Sequence, residues 1–303
     1  MRLIPYTLPL AQPYRWSKGT QTTRSGVLVN VQGGWGEIAP PPHVECPNLV
    51  EEARNPLFDN RVRCGHTTAQ ADALARGLEL SVATYLHEER DAPRPHARVQ
   101  VNALLTSDAD ILQEARDAWS QGIRTFKIKV GTGNDEARVE AIRDAYPDAA
   151  IRLDPNHGWK NPAAEMERFA SYNIQYVEDP GPVSNPLIPI AIDEAATDVA
   201  SVSQAIASGA DAIILKPQRL GGPLQTLDAL LLCKDEGVPV TITNSLETSV
   251  GVHACLQLAA LAPKTAHGLA TSRFFAKDVA PAPTIREGCM DVPKLGIGVE
   301  PCL

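Results

Sequence analysis

From about residue 98 the chain takes on a regular rhythm, and this rhythm restricts the possible fold more than any other feature. Short β-rich runs (VQVNALLT, TFKIKVG, AIRLDPN, IQYVEDP, IPIAIDE, AIILKPQ, VPVTITN and HGLAT) alternate with amphipathic stretches such as DILQEARDAWSQG and PLQTLDALLLCKDEG. Strands separated by helices pair in parallel, because each crossover returns the chain to the same end of the sheet. Eight such runs predict an α/β fold, a modified (β/α)8-type, TIM-like barrel, compact beside the ~250 residues usual for that architecture. A doubly wound open sheet is the alternative, but no GxGxxG or GxxxxGK[ST] follows any run to support a nucleotide-binding version. The connection GPVSNPLIP between Glu178 and Asp193 holds three prolines, so the usual helix there is expected to be absent or a single turn.

Residues 1–95 have a different texture. RLIPYTLPLA, SGVLVNVQ and WGEIAPPP read as β segments, with Gln32-Gly33-Gly34 as a hairpin turn. A helix is expected from about Thr68. Thr67 and Gln70 resemble a capping box, and Ala71, Leu74, Ala75, Leu78, Val82 and Leu86 form one apolar stripe. DAPRPHAR then reads as a linker. The expected organisation is an N-terminal α+β capping domain over 1–95, a barrel over 96–271, and an irregular tail, 272–303, packing back onto the cap.

The net charge of −8 and a pI near 5.4 argue against a nucleic-acid or anionic-membrane partner, which would require a basic stripe. Six scattered cysteines show neither a CxxC pair nor metal-ligand spacing and read as reduced thiols. Prolines at 5, 9 and 13 interrupt the apolar N-terminus, and no apolar run approaches the ~20 residues of a membrane span. A cytoplasmic protein is expected, with a small-molecule partner and a monomeric or homodimeric state left open.

The strand ends carry the chemistry. TFKIKVG puts Lys127 and Lys129 on one face of a strand and Phe126, Ile128 and Val130 on the other. Asp154 ends the next run, with Arg152 and Asn156 in phase, and Glu178, Asp193 and Lys216 end the following three. In a parallel barrel these ends meet on one face. Three converging carboxylates, with room for water and substrate oxygens, suit Mg²⁺ better than zinc or calcium, with Mn²⁺ as a substitute. Singly, such acids read as helix caps, and Asp154-Pro155 and Asp179-Pro180 as ordinary turns. Their recurrence in phase at successive strand ends favours a site.

The order KxK, D, E, D, K at successive strand ends resembles the enolase superfamily, more narrowly its muconate-lactonizing subgroup, as do GWGEIAPPP and ILKPQRLGG. The likeness covers essentially the whole chain. IRLDPN, TITNSLETSVG and AHGLAT bring it closest to the o-succinylbenzoate synthase family, a group of hydro-lyases of menaquinone or phylloquinone biosynthesis. The absence of an acid in AHGLATS, 266–272, argues against the dipeptide epimerases and cycloisomerases. The resemblance implies Mg²⁺ on Asp154, Glu178 and Asp193, Lys129 as general base, and Lys216 opposite it. Lys127 becomes a neighbour that lowers the Lys129 pKa and contacts the substrate carboxylate. Arg152, Asn156, Thr243, Asn244 and Ser245 are candidate substrate contacts. Trp16, in the segment 14–24 where this family's lid loop lies, is a candidate apolar wall. An N-succinylamino acid racemase is the alternative within the fold, and a non-catalytic metal-binding barrel the alternative outside it.

Overall fold

The computed structural model describes the chain apart from residues 17–18, 43, 108–109, 132 and 303 and the side chains of 15, 16 and 19. Three antiparallel strands come first, β1 (Arg2–Trp16), β2 (Gly19–Val31) and β3 (Gly34–Ile38), in that spatial order. Gln32 and Gly33 join β2 to β3 with φ of 51° and 89°, the left-handed pair that a two-residue hairpin needs. The prolines at 5, 9 and 13 all lie in β1, at the edge of this sheet, where a missing N–H is tolerated.

Helices α1 (Leu49–Glu52), α2 (Asn60–Gly77) and α3 (Val82–Arg90) follow. α2 lies so close to β3 that a Cβ on Gly36 would stand 2.0 Å from the Gly65 carbonyl oxygen. It starts earlier than expected. Asp59 is the cap, accepting the Val62 N–H at 2.9 Å, while Thr67 sits within the helix and donates to the Arg63 carbonyl at 2.8 Å. The single apolar stripe is also corrected: the helix breaks after Gly77, and Leu74 and Leu78 are exposed. The true buried face uses Val62, Gly65, His66, Ala69 and Asp72, mostly small or polar residues that carry little apolar periodicity.

The remaining strands are β4 (Arg98–Gln100), β5 (Ala103–Leu105), β6 (Thr125–Lys129), β7 (Ala150–Asp154), β8 (Ile174–Glu178), β9 (Ile190–Ile192), β10 (Ala212–Leu215) and β11 (Val240–Ile242), then β12 (Ile285–Arg286) and β13 (Cys289–Asp291). β5 to β11 form one parallel sheet, each strand beside the next in sequence. The expected eighth strand is only a bridge. His267 N–H donates to the Gln100 carbonyl at 2.8 Å and Gly268 N–H to the Ile242 carbonyl at 2.9 Å, so residues 267–268 join the two edges. The chain then turns away as Leu269 N–H reaches back to the His267 carbonyl at 3.1 Å.

Outside the sheet run α4 (Ile111–Ser120), α5 (Asp135–Ala145), α6 (Pro162–Phe169), α7 (Val199–Ala207), α8 (Pro217–Leu220), α9 (Pro223–Asp235) and α10 (Ser249–Ala259). No helix lies between β8 and β9. Tyr176, Ala191, Ala212 and Ile214 pack together within the barrel, while Phe126, Ile128, Ile151 and Leu153 face the other way and are buried in the main core. The tail contributes β13 beside β4 and reaches α2, where Ile297 N–H donates to Asp72 Oδ1 at 2.6 Å. All six cysteines are free. Among the described residues no helix is long and apolar enough to cross a membrane.

Buried charge marks the junction between β3 and α10. Glu37 accepts the Gly251 and Thr248 N–H groups at 2.9 Å each and the Tyr6 hydroxyl at 2.5 Å, so its carboxylate sits at the N-terminus of α10. Burial, reinforced by the Glu37 charge, pushes the nearby Glu247 carboxyl from 4.5 up to about 8, with Arg24 opposing. The native state therefore holds a proton that an unfolded Glu247 releases near 4.5, and stability falls as pH rises across that window. Each tenfold change in proton affinity is worth about 1.4 kcal/mol. Glu247→Gln is expected to match the wild type near pH 4.5 and to be more stable by several kcal/mol at pH 8. Denaturant unfolding across this range checks it; a pH-independent difference between the two proteins would contradict the protonated-acid assignment.

Candidate active site

β6 presents its residues alternately. Phe126 and Ile128 are fully buried in the core, and Lys127 and Lys129 turn inward with their side chains 15% exposed. The parallel register sets Lys127 beside Arg152 and Lys129 beside Asp154. Moving round the barrel from β6 to β10, the ends carry Lys129, Asp154, Glu178, Asp193 and Lys216 in order, so three acids lie between flanking lysines.

The side chains meet. Lys127 Nζ donates to Glu178 Oε2 at 2.5 Å and lies 2.7 Å from Asp154 Oδ2, which also accepts from Lys129 Nζ at 2.7 Å. Lys216 Nζ donates to Asp193 Oδ2, and Arg219 Nη1 to Asp193 Oδ1 at 2.9 Å. All three carboxylates are at least nine-tenths buried. Burial alone would raise the Asp154 pKa, but Lys127 and Lys129 outweigh it and hold the group well below the usual carboxylate range. Burial also opposes ionisation of Asp193, where Lys216 and Arg219 prevail. At Glu178 burial wins and the pKa is raised, despite Lys127.

The lysines behave differently from expectation. Burial disfavours the Lys129 ammonium, yet Asp154 and Tyr14 together more than compensate and its pKa rises. Lys127 does oppose this, as its like charge requires, but from a weaker position. Lys127 itself is raised well above its ordinary value: Asp154, Glu178 and Asp193 together outweigh burial. The expected lowering of Lys129 is therefore absent while Asp154 is free to pair with it.

Lys127, Lys129, Asp154, Asp193 and Lys216 face a cavity of about 680 Å³, while Glu178 does not line it. Asn156, Thr243, Asn244 and Ser245 line it. Asn156 has φ of 47° and its N–H donates to Asp154 Oδ1 at 3.0 Å, fixing that carboxylate. Asn244 donates to Thr271 Oγ1 at 2.6 Å, from the wall beyond the eighth bridge. Arg152 is a correction. It does not line the cavity; its guanidinium donates to Gln175 Oε1 and the Ala266 carbonyl, both at 2.7 Å, and lies 4.8 Å over the Tyr176 ring. Two residues before Asp154 on a strand is about 7 Å lower in the barrel, so an in-phase residue belongs to a deeper layer. The Trp16 side chain lies outside the described residues.

Several contributors escaped sequence reasoning. Tyr14, Asn102, Gln218 and Arg219 line the cavity, and Arg61 reaches it from α2. Asp179, next to Glu178, accepts the Glu194 N–H at 2.7 Å and the Asp193 N–H at 3.2 Å, so it braces the end of β9. Burial, then Glu194, pushes Asp179 up to about 8. Its ligand atoms and those of His157 and Glu194 lie within 4.8 Å of one another. The tandem acids Glu178-Asp179 and Asp193-Glu194 were the available signal.

The donor set suits a hard divalent cation: three buried carboxylates from adjacent strands, already drawing ammonium groups into the space between them. The comparisons agree with this architecture. The family model described as Enolase C-terminal domain-like matches residues 110–302. An o-succinylbenzoate synthase of Thermobifida fusca is 32% identical over 302 residues, 92% of this chain and 83% of that relative. An N-succinylamino acid racemase of Thermus thermophilus is 30% identical over 207 residues, 63% of this chain and 56% of that protein. The solved structure of a dipeptide epimerase from Enterococcus faecalis V583, complexed with Mg and the dipeptide L-Leu-L-Tyr, superposes with a TM-score of 0.85 at 21% identity, covering 99% of this chain and 98% of that one. The chain belongs to the enolase superfamily.

Proposed function

We propose that this chain is an o-succinylbenzoate synthase, catalysing syn dehydration of 2-succinyl-6-hydroxy-2,4-cyclohexadiene-1-carboxylate, a hydro-lyase reaction of menaquinone or phylloquinone biosynthesis in the cytoplasm. The observation that carries the reading is the strand order: Lys129 and Lys216 flank Asp154, Glu178 and Asp193 at successive strand ends, and all of these but Glu178 line one cavity. The 32% identity to the Thermobifida fusca enzyme supports it. So does the far wall, where Gly268, Ala270 and Thr271 offer no carboxylate for a substrate ammonium.

Asp154, Glu178 and Asp193 would hold Mg²⁺, with Mn²⁺ as a substitute. The bound ion supplies charge stabilisation for the enediolate formed when a proton beside a carboxylate is removed. Lys129 Nζ takes that proton. Asp154 and Tyr14 raise the Lys129 pKa and Lys127 opposes them, so a cation that drew on the Asp154 charge would shift the balance toward the neutral amine. Lys129 in its ammonium form then returns the proton to the departing hydroxyl on the same face. The C–H and C–O bonds are broken, water leaves, and the ring becomes aromatic. Lys216, on the other side, faces the ring as a cation. Asn156 orients Asp154, and Thr243, Asn244 and Ser245 offer hydrogen bonds to the succinyl end.

A second reading, an N-succinylamino acid racemase, is favoured by the same pair of opposed lysines, each able to exchange an α-proton on its own face, and by the Thermus thermophilus relative. Supplying the cyclohexadiene substrate and, in parallel, an N-succinyl amino acid in D₂O separates the two. Aromatic product with little α-deuteration is expected. Deuteration and racemisation without dehydration would replace the first reading with the second.

A further inference from the structure

Arg24 in β2 is one of the largest fully buried side chains of the protein, 2% exposed, yet among the described residues it forms no ion pair with a carboxylate. Its guanidinium donates instead to three main-chain carbonyls: Nη2 to Pro40 at 2.7 Å, Nε to Leu246 at 3.1 Å and Nη2 to Ser245 at 3.3 Å. Burying a charge without a counter-ion is costly, and a rigid fork of donors is what distinguishes arginine from lysine there.

The acceptors belong to two separate walls of the cavity. Pro41 and Pro42 follow Pro40 on the side contributed by the N-terminal segment, and Ser245 and Leu246 form the edge that follows β11. A proline run has no N–H to anchor it, so it is held through its carbonyls: Pro41 accepts the Val44 N–H at 2.9 Å, and Pro40 accepts Arg24. Leu246 has φ of 64°, a conformation that a non-glycine residue holds only when its surroundings enforce it. The enforcement is two-sided: Glu247 accepts the Ser245 N–H while Arg24 takes the Ser245 and Leu246 carbonyls.

We infer that Arg24 is a positioning residue that fixes the Pro41–Pro42 wall against the Ser245–Leu246 wall and so sets the width of the substrate cavity. The inference rests on reading that cavity as the active site. Among the described residues the Arg24 side chain donates to Pro40, Ser245 and Leu246 and to no group of β6 or the Lys216 segment, so its loss should change substrate binding and leave the proton-transfer groups in place.

Arg24→Met and Arg24→Lys test this in the full chain. For Arg24→Met, hydrogen exchange over 243–248 is expected to accelerate while α10 beyond Val252 keeps its wild-type protection. KM for the cyclohexadiene substrate and Kd for o-succinylbenzoate, the probe in calorimetry, should both rise about tenfold, the scale of one charged hydrogen bond, with kcat held within about twofold. Arg24→Lys, which keeps the charge but can reach only part of the acceptor set, should recover part of both effects; it also carries the test if the methionine variant does not fold. Unchanged exchange and Kd, or faster exchange spread evenly over the chain, would overturn the inference. The exchange measurement needs no turnover, so a wild type inactive on this substrate defeats the functional reading and leaves Arg24 separately judged.

Discussion

Lys129→Ala and Lys216→Ala are each expected to lower kcat for dehydration by about 10²–10⁴-fold, the range usual for loss of a positioned proton-transfer or charge-stabilising group. The two should differ in detail. Lys129 Nζ is the atom expected to receive the substrate proton, so its removal should also abolish solvent exchange at the acidic carbon. Lys216 lies across the cavity, and its alanine variant should retain some exchange on the Lys129 face. Both should remain folded, because each substitution deletes a half-buried cation whose partner carboxylate keeps another: Lys127 on Asp154, Arg219 on Asp193. Wild-type-like turnover by either variant would remove the two-lysine mechanism.

The second large effect is expected at Asp154. Its Oδ2 is shared by two ammonium groups, each 2.7 Å away. Asp154→Asn leaves Lys129 without its counter-charge and Lys127 with Glu178 alone, a loss on the order of 3 kcal/mol for a buried pair deprived of one member. The same change removes a proposed ligand. In EDTA the variant should unfold more easily than the wild type; added Mg²⁺ should raise the Tm of the wild type, as any ligand of the native state does, and leave the variant unmoved. A variant whose Tm responds to Mg²⁺ like the wild type would show that Asp154 is not a ligand, whatever its activity.

The barrel and its charged rim were legible because both rest on short-range regularities. Period-two alternation separates Lys127 and Lys129 from Phe126 and Ile128, and an acid or lysine closing each run has one place to go once the strands are parallel. What failed depended on groups distant in sequence. Arg152 shares the phase of Asp154, but its reach to Ala266, far along the chain, decides where the guanidinium lies. The start of α2 was hidden because its buried face is small and polar to let β3 approach. The eighth strand shrank to two bridging residues, which no periodicity can register. The protonation of Lys129 depends on a carboxylate on the neighbouring strand, so the KxK spacing gave the sign of the Lys127 effect and not the outcome. Asp179 looked like a turn residue and braces the rim instead, accepting the Glu194 N–H.

Mg²⁺-dependent formation of an aromatic acid at this cavity is the expected activity. The direct measurement follows absorbance as the purified protein meets 2-succinyl-6-hydroxy-2,4-cyclohexadiene-1-carboxylate, first with Mg²⁺, then after EDTA, then with Mg²⁺ restored. o-Succinylbenzoate should accumulate, stop and resume. A folded, Mg²⁺-supplied protein that forms no product, or one that EDTA leaves unaffected, would contradict it.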